Sequence, residues 1–109
     1  MAQSAKRPEQ YLYLSTRGRK TGRAHEIEIW FAAYGNHYYV MAEYPTSHWV
    51  QNIRDDPRVQ VQVGADTFNA RARILSNEAG LLAVVQDLFK QKYGWGEGLP
   101  IELIPEPGG

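Results

Sequence analysis

The segment Arg58-Val-Gln-Val-Gln-Val63 alternates apolar and polar residues without a break. Only an extended strand with one face on a core and the other on water satisfies a period of two. It sends Val59, Val61 and Val63 inward and Arg58, Gln60 and Gln62 outward. Gly64-Ala-Asp66 turns the chain into a second such strand, Thr67 to Leu75, with Phe68, Ala70, Ala72 and Ile74 on one side and Asn69, Arg71 and Arg73 on the other. Upstream, Glu9 to Thr16 and His25 to Tyr34 read as strands, the second stepping through Ile27, Ile29 and Phe31. Gly35-Asn36 is a hairpin turn into a third strand, His37 to Ala42, and Leu99 to Ile104 is a candidate sixth.

Two helices fit between these strands. Ser47 is placed to cap a short one running to Arg54, with Trp49, Val50 and Ile53 spaced to bury one face. Asp55-Asp56-Pro57 ends it, because the residue before a proline disfavours the α region. Ser76 or Asn77 caps a longer helix to about Tyr93, in which Leu81, Val85, Leu88 and Phe89 form an apolar stripe. Strands joined mainly by hairpins, with two helices, predict an α+β fold: an antiparallel sheet of five or six strands curled into a small barrel. One domain is expected over residues 9–104, with a flexible leader at 1–8 and a loose tail at 105–109.

At 109 residues the chain builds one core and not two. It has no cysteine, which excludes disulfides, thiolate metal sites and a cysteine nucleophile. Lys plus Arg equal Asp plus Glu at 12 each, which argues against electrostatic nucleic-acid binding by the whole chain. No apolar run approaches membrane-spanning length, and a cytoplasmic protein is expected. Against this neutral background the turn Arg17-Gly-Arg-Lys-Thr-Gly-Arg23 stands out. Glycines let backbone N–H groups approach an anion, and the cations add charge-assisted contacts, so the turn reads as a phosphate grip. A solvated hairpin tip has the same composition.

Other residues carry chemistry less sharply. His25, His37 and His48 fall on different elements without ligand spacing, so no metal is expected. The pairs Asp55-Asp56 and Glu26/Glu28 read as solvent-facing. Glu43 follows an apolar strand and faces either ligand or water. Trp30, Trp49 and Trp95 suit a barrel core equally well, although the glycines flanking Trp95 suit a lid.

Taken with their order, several pieces resemble one family. They are Leu14-Ser-Thr-Arg-Gly-Arg-Lys-Thr-Gly22, Ile27-Glu-Ile-Trp-Phe31, Tyr39-Val-Met-Ala42, His48-Trp-Val-Gln-Asn-Ile53 and Asp56-Pro-Arg-Val-Gln-Val61. The chain resembles the split β-barrel flavin and deazaflavin oxidoreductases, specifically their nitroreductase or quinone-reductase branch. The resemblance implies a cofactor, deazaflavin or FMN, whose phosphate end meets Arg19, Lys20 and Thr21, with His25 where relatives carry an arginine. It places Trp30, Glu43 and Tyr44 beside the ring, and Trp49 and Asn52 on the supporting helix. Glu43-Tyr44 replaces a Ser-Lys pair typical of relatives. Trp95 and Tyr93 would close over the substrate, and Tyr44 and Tyr93 are the candidate proton or hydrogen-bond donors. The implied function is hydride transfer to a quinone-like or nitro-aromatic acceptor, in a homodimer. A flavin, tetrapyrrole or lipid carrier without turnover is the alternative on the same barrel.

Overall fold

The computed structural model describes residues 11–76 and 79–107, Ala79 by its backbone alone. Six strands, β1 (Tyr11–Arg17), β2 (Ala24–Tyr34), β3 (His37–Ala42), β4 (Arg58–Val63), β5 (Asp66–Ile74) and β6 (Leu99–Pro105), pair antiparallel in the order β1-β2-β3-β6-β5-β4. The ring closes where Tyr13, Leu14 and Ser15 of β1 pair with Gln62, Val61 and Gln60 of β4. Helix α1 (His48–Asp55) lies between β3 and β4, and α2 (Ala79–Tyr93) between β5 and β6. This is the small α+β split barrel that the alternation and the resemblance predicted.

The strand pattern explains the two cores. Inward residues such as Leu12, Leu14, Val40, Val61, Ile101 and Leu103 fill the barrel and are fully buried. Val50 and Ile53 of α1 join them, so the short helix plugs one end of the barrel. On the outside, α2 lays Val85 and Phe89 over Ala32, Tyr39, Met41 and Leu75. β3 is therefore buried on both faces from Tyr39 onward, which is why Tyr39-Val-Met-Ala42 carries no polar alternation.

Several boundaries differ from the sequence expectation. β1 continues through Arg17, and α1 continues through Asp55, closing with the Asp56 N–H on the Asn52 carbonyl. Ser47 stands at the N-cap of α1, but its side chain makes no capping hydrogen bond. The expected cap of α2 at Asn77 and the leader 1–8 lie outside the described residues. Pro105, placed in the tail by its sequence, pairs with Ala70, and the Glu106 N–H donates to the Asn69 carbonyl. The β5–β6 ladder thus holds the chain past residue 104.

On the outer face of β6, Glu102 is a buried carboxylate, 3% exposed. It sits directly across from Tyr39 on one side and Arg73 on the other. Its Oε1 accepts from Arg73 Nε at 2.9 Å and Nη2 at 2.7 Å, while Oε2 meets Tyr39 Oη at 2.9 Å and His37 Nδ1 at 2.7 Å. Burial opposes its ionisation, but the bonds from His37, Arg73 and Tyr39 outweigh it and hold the carboxyl below the usual range. The same burial, with Glu102 alongside, pushes the Tyr39 phenol up to about 12.

Candidate functional site

The basic turn and α1 form one unit. Asn52 is buried, 4% exposed, and bridges them: its Nδ2 donates to Thr16 Oγ1 at 3.1 Å, and its Oδ1 accepts from Arg19 Nη1 at 2.8 Å. Arg19 also reaches the His48 carbonyl and lies 3.3 Å from His48 Nδ1. The guanidinium is therefore fixed against the start of α1. The turn itself closes through the Gly22 N–H on the Gly18 carbonyl and the Gly18 N–H on the Arg23 carbonyl, both at 2.7 Å. Gly22 has φ +74°, a conformation that glycine adopts without strain. The His25 ring lies against Gly18, where a Cβ would come within 2.7 Å of Nε2.

This geometry divides the cations that sequence had grouped. Arg19, Lys20 and His25 line a hollow of about 700 Å³ between the turn and α1, floored by Ile27 and Trp49. Arg17 instead lines a separate hollow with Asp56, Arg58 and Gln60 on the other side of the turn. The two directions differ because Arg17 is the last residue of β1, whereas Arg19 lies in the turn beyond it, where strand alternation no longer applies. Among the described residues nothing accepts from the backbone N–H groups of Lys20 and Thr21, and Lys20 has no ion-pair partner. Free amides, an ammonium, an anchored guanidinium and an imidazole make a donor set suited to an anionic group.

A second hollow of about 560 Å³ adjoins the first and shares Ser47 and Trp49 with it. Its walls are mostly aromatic: Tyr11, Trp30, Trp49 and Trp95 surround a base formed by Ile29, Met41 and Phe89. Glu43 and Tyr44 line it from the loop after β3, Tyr44 being 62% exposed, and Glu28 lines it from β2. Every predicted site residue except Tyr93 thus lines one of the two hollows.

Tyr93 stands behind the wall instead. Its ring stacks on Trp30, with centroids 4.4 Å apart and planes 3° from parallel. Its hydroxyl donates to the Phe31 carbonyl at 2.7 Å and accepts from the Phe31 N–H at 3.1 Å. Burial pushes the phenol up, so its proton stays on. The expected donor is occupied as a clamp between the end of α2 and β2. Lys92 completes the clamp, with Nζ 3.0 Å from the Phe31 carbonyl and 4.1 Å from the centre of the Phe31 ring.

Sequence reasoning missed Glu28, Tyr11, Met41 and Ser47 as lining residues. Glu28 was taken for a solvent-facing residue because it alternates with core isoleucines. It does face outward, but the outward face of β2 here is the wall of the hollow. A signal existed in the register, since Tyr11, paired with Trp30, puts two aromatics side by side on that face. Among the described residues no three His, Asp or Glu side chains gather as a metal-binding set, and no helix is long and apolar enough to cross a membrane.

A closed antiparallel barrel with a basic turn at one hollow and an aromatic hollow beside it defines a split-barrel protein. The model of the F420H(2)-dependent quinone reductase family matches residues 3–92, and the chain belongs to that family of deazaflavin-linked oxidoreductases. Solved structures share the fold. The heme storage protein HutZ from Vibrio cholerae is 19% identical, with a TM-score of 0.73 over 92% of this chain and 84% of its own. An F420-H2 dependent reductase, FDR-A, is 19% identical, with a TM-score of 0.70 over 87% and 93%. A FAD-binding protein from Mesorhizobium loti is 15% identical, with a TM-score of 0.69 over 90% and 82%. No curated protein sequence matches the chain.

Proposed function

We propose that the chain binds a reduced deazaflavin across both hollows and serves hydride transfer to a quinone-like or nitro-aromatic acceptor. The observation that carries this reading is the sharing of Trp49 and Ser47 by a cationic hollow and an aromatic one. Phosphate is assigned to the Lys20 and Thr21 amides, the Lys20 ammonium and the outer edge of Arg19. The ring is assigned to the space between Trp30, Trp49 and Trp95, where stacking would hold it. The deazaflavin supplies the hydride chemistry when bound; the protein supplies binding, orientation and exclusion of water.

Within this reading Tyr44 is the proton or hydrogen-bond donor, because its hydroxyl is exposed at the hollow. Tyr93 acts through Trp30 as a positioning residue. His25 stands where the resemblance implies an arginine, and FMN, with its compact phosphate, competes for the same hollows. The exposed Tyr11, Tyr13 and Trp30 beside the aromatic hollow support a homodimer in which a second copy covers its open side. Sedimentation at micromolar concentration tests that arrangement, and a monomer would reject it. A cytoplasmic location accords with a soluble redox role.

Titration with the deazaflavin coenzyme, FMN and FAD, followed by tryptophan quenching, tests the assignment. Micromolar binding of one compound, lost in Arg19→Ala/Lys20→Ala, is expected. Binding by none of the three would reject the reductase reading. A carrier on the same barrel, holding a flavin, tetrapyrrole or lipid, is distinguished by added acceptor, which accelerates re-oxidation of the cofactor only in an enzyme.

A further inference from the structure

His48 opens α1 and lines the cationic hollow together with Arg19, Lys20 and His25. Its ring meets the anchored guanidinium, with Arg19 Nη2 lying 3.3 Å from His48 Nδ1. The same guanidinium sends Nη1 to Asn52 Oδ1 at 2.8 Å and to the His48 carbonyl at 3.4 Å. A guanidinium has donors and no acceptor, so Nδ1 is the acceptor in the contact between the two side chains. An accepting nitrogen holds a lone pair, which places the proton of the neutral ring on Nε2. Arg19 thus sets the tautomer of His48, and the ring keeps one N–H to give.

We infer that the His48 Nε2–H is a further donor of the anion site, strengthened by Arg19 behind it. This deepens the functional reading above and rests on it only for taking the anion to be a cofactor phosphate. Arg19 uses Nη1 on Asn52 and the His48 carbonyl, so part of its fork is turned away from any ligand. The imidazole passes some of that charge on to the hollow. A ring that accepts from a cation at one nitrogen is polarised and donates more strongly from the other. Because the ring stays neutral, it adds a directed donor without adding to the positive charge already gathered at Lys20. The hollow lies between the turn and α1, so an anion in it is met from the helix as well as from the turn. A hydrogen bond to an ion is stronger than one to a neutral group, so a phosphate gains from Nε2–H and a phosphate-free ring does not.

FMN and riboflavin share one ring and differ by the phosphate, and the deazaflavin coenzyme and its phosphate-free ribityl form make a matching pair. The affinity ratio within a pair isolates what the phosphate contributes. Both pairs are titrated at pH 8 by tryptophan quenching into the unaltered protein, His48→Asn and His48→Gln. Asparagine puts an amide oxygen near the place of Nδ1, where Arg19 can still donate, but does not reach the place of Nε2. Glutamine reaches it with an amide N–H. The phosphate advantage is expected to fall about tenfold in His48→Asn, as loss of one hydrogen bond to a charged group implies, and to stay within about twofold in His48→Gln. Melting temperatures report that the fold is kept. An advantage kept in His48→Asn overturns the proposal. An advantage lost equally in both variants also overturns it, because the ring then acts only through Arg19. A second readout needs no cofactor. In isotope-labelled protein the His48 Nε2 resonance, identified by its loss in His48→Gln, should move on addition of inorganic phosphate and hold still with chloride at equal ionic strength. Binding of either ring with Nε2 unmoved by phosphate rejects only this donor. Binding of neither ring with Nε2 still responding rejects the reductase reading and leaves the anion site standing.

Discussion

Asn52 Oδ1 accepts a 2.8 Å hydrogen bond from the Arg19 guanidinium across 33 residues of chain, and so couples the basic turn to the helix that plugs the barrel. In Asn52→Ala, Thr16 Oγ1 loses its donor and Arg19 loses its anchor. A buried hydroxyl left without its partner costs about 1–3 kcal/mol. Chemical denaturation should show a loss in that range, and cofactor affinity should fall with it. Full affinity in a destabilised Asn52→Ala protein would separate the plug from the grip.

The Tyr93 hydroxyl serves the backbone of Phe31, so Tyr93→Phe should lower stability by about 1 kcal/mol while leaving turnover per bound cofactor unchanged. Tyr93→Ala removes the stack as well, which is worth about 0.5–1.5 kcal/mol beyond burial. Trp30 then loses its backing, and its emission should move to the red. A large drop in turnover for Tyr93→Phe at unchanged affinity would restore Tyr93 as a proton donor.

Gly18→Ala tests how closely the turn is fitted. The new methyl group would meet the His25 ring at 2.7 Å and Thr21 Oγ1 at 2.9 Å. His25 must swing away, which opens the cationic hollow at one wall. Weaker binding of the phosphate-bearing cofactor is expected with a modest fall in melting temperature, and unchanged binding would remove His25 from the grip.

Glu102 gives the fold a pH dependence with a definite sign. Its carboxyl is held below the reference value of 4.5, so the unfolded chain binds its proton first as the solution is acidified. The stabilisation is complete above that reference value and is lost as pH falls through the lowered folded value. In Glu102→Gln this component of the acid limb should disappear from a melting-temperature profile. Stability at neutral pH should fall by about 1–3 kcal/mol, towards the lower end because Arg73 and His37 are half-exposed and can turn to water.

The barrel was legible because its strands alternate. Val59 and Val61 went inward as their spacing required, and the hairpin at Gly35-Asn36 set β2 against β3. The basic turn was legible in composition, but the direction of its cations was not. Arg17 and Arg19 are two residues apart, and only the point where β1 ends decides which hollow each enters. Tyr93 was read from an aromatic residue near a glycine break, whereas its partners lie 62 positions away on β2, a pairing that local sequence does not encode. Glu102 left almost no signal, since a lone carboxylate in a strand reads as solvent-facing until the partner strands supply Arg73 and Tyr39.

The closing of the barrel also bears on how the protein behaves in a crowd. Closing the ring gives every strand a partner on both sides, which limits the edge on which another chain can add. The seam is unequal, however: every residue of β1 pairs with β2, but only Tyr13, Leu14 and Ser15 pair with β4. With three pairs it is the shortest of the six ladders in the ring.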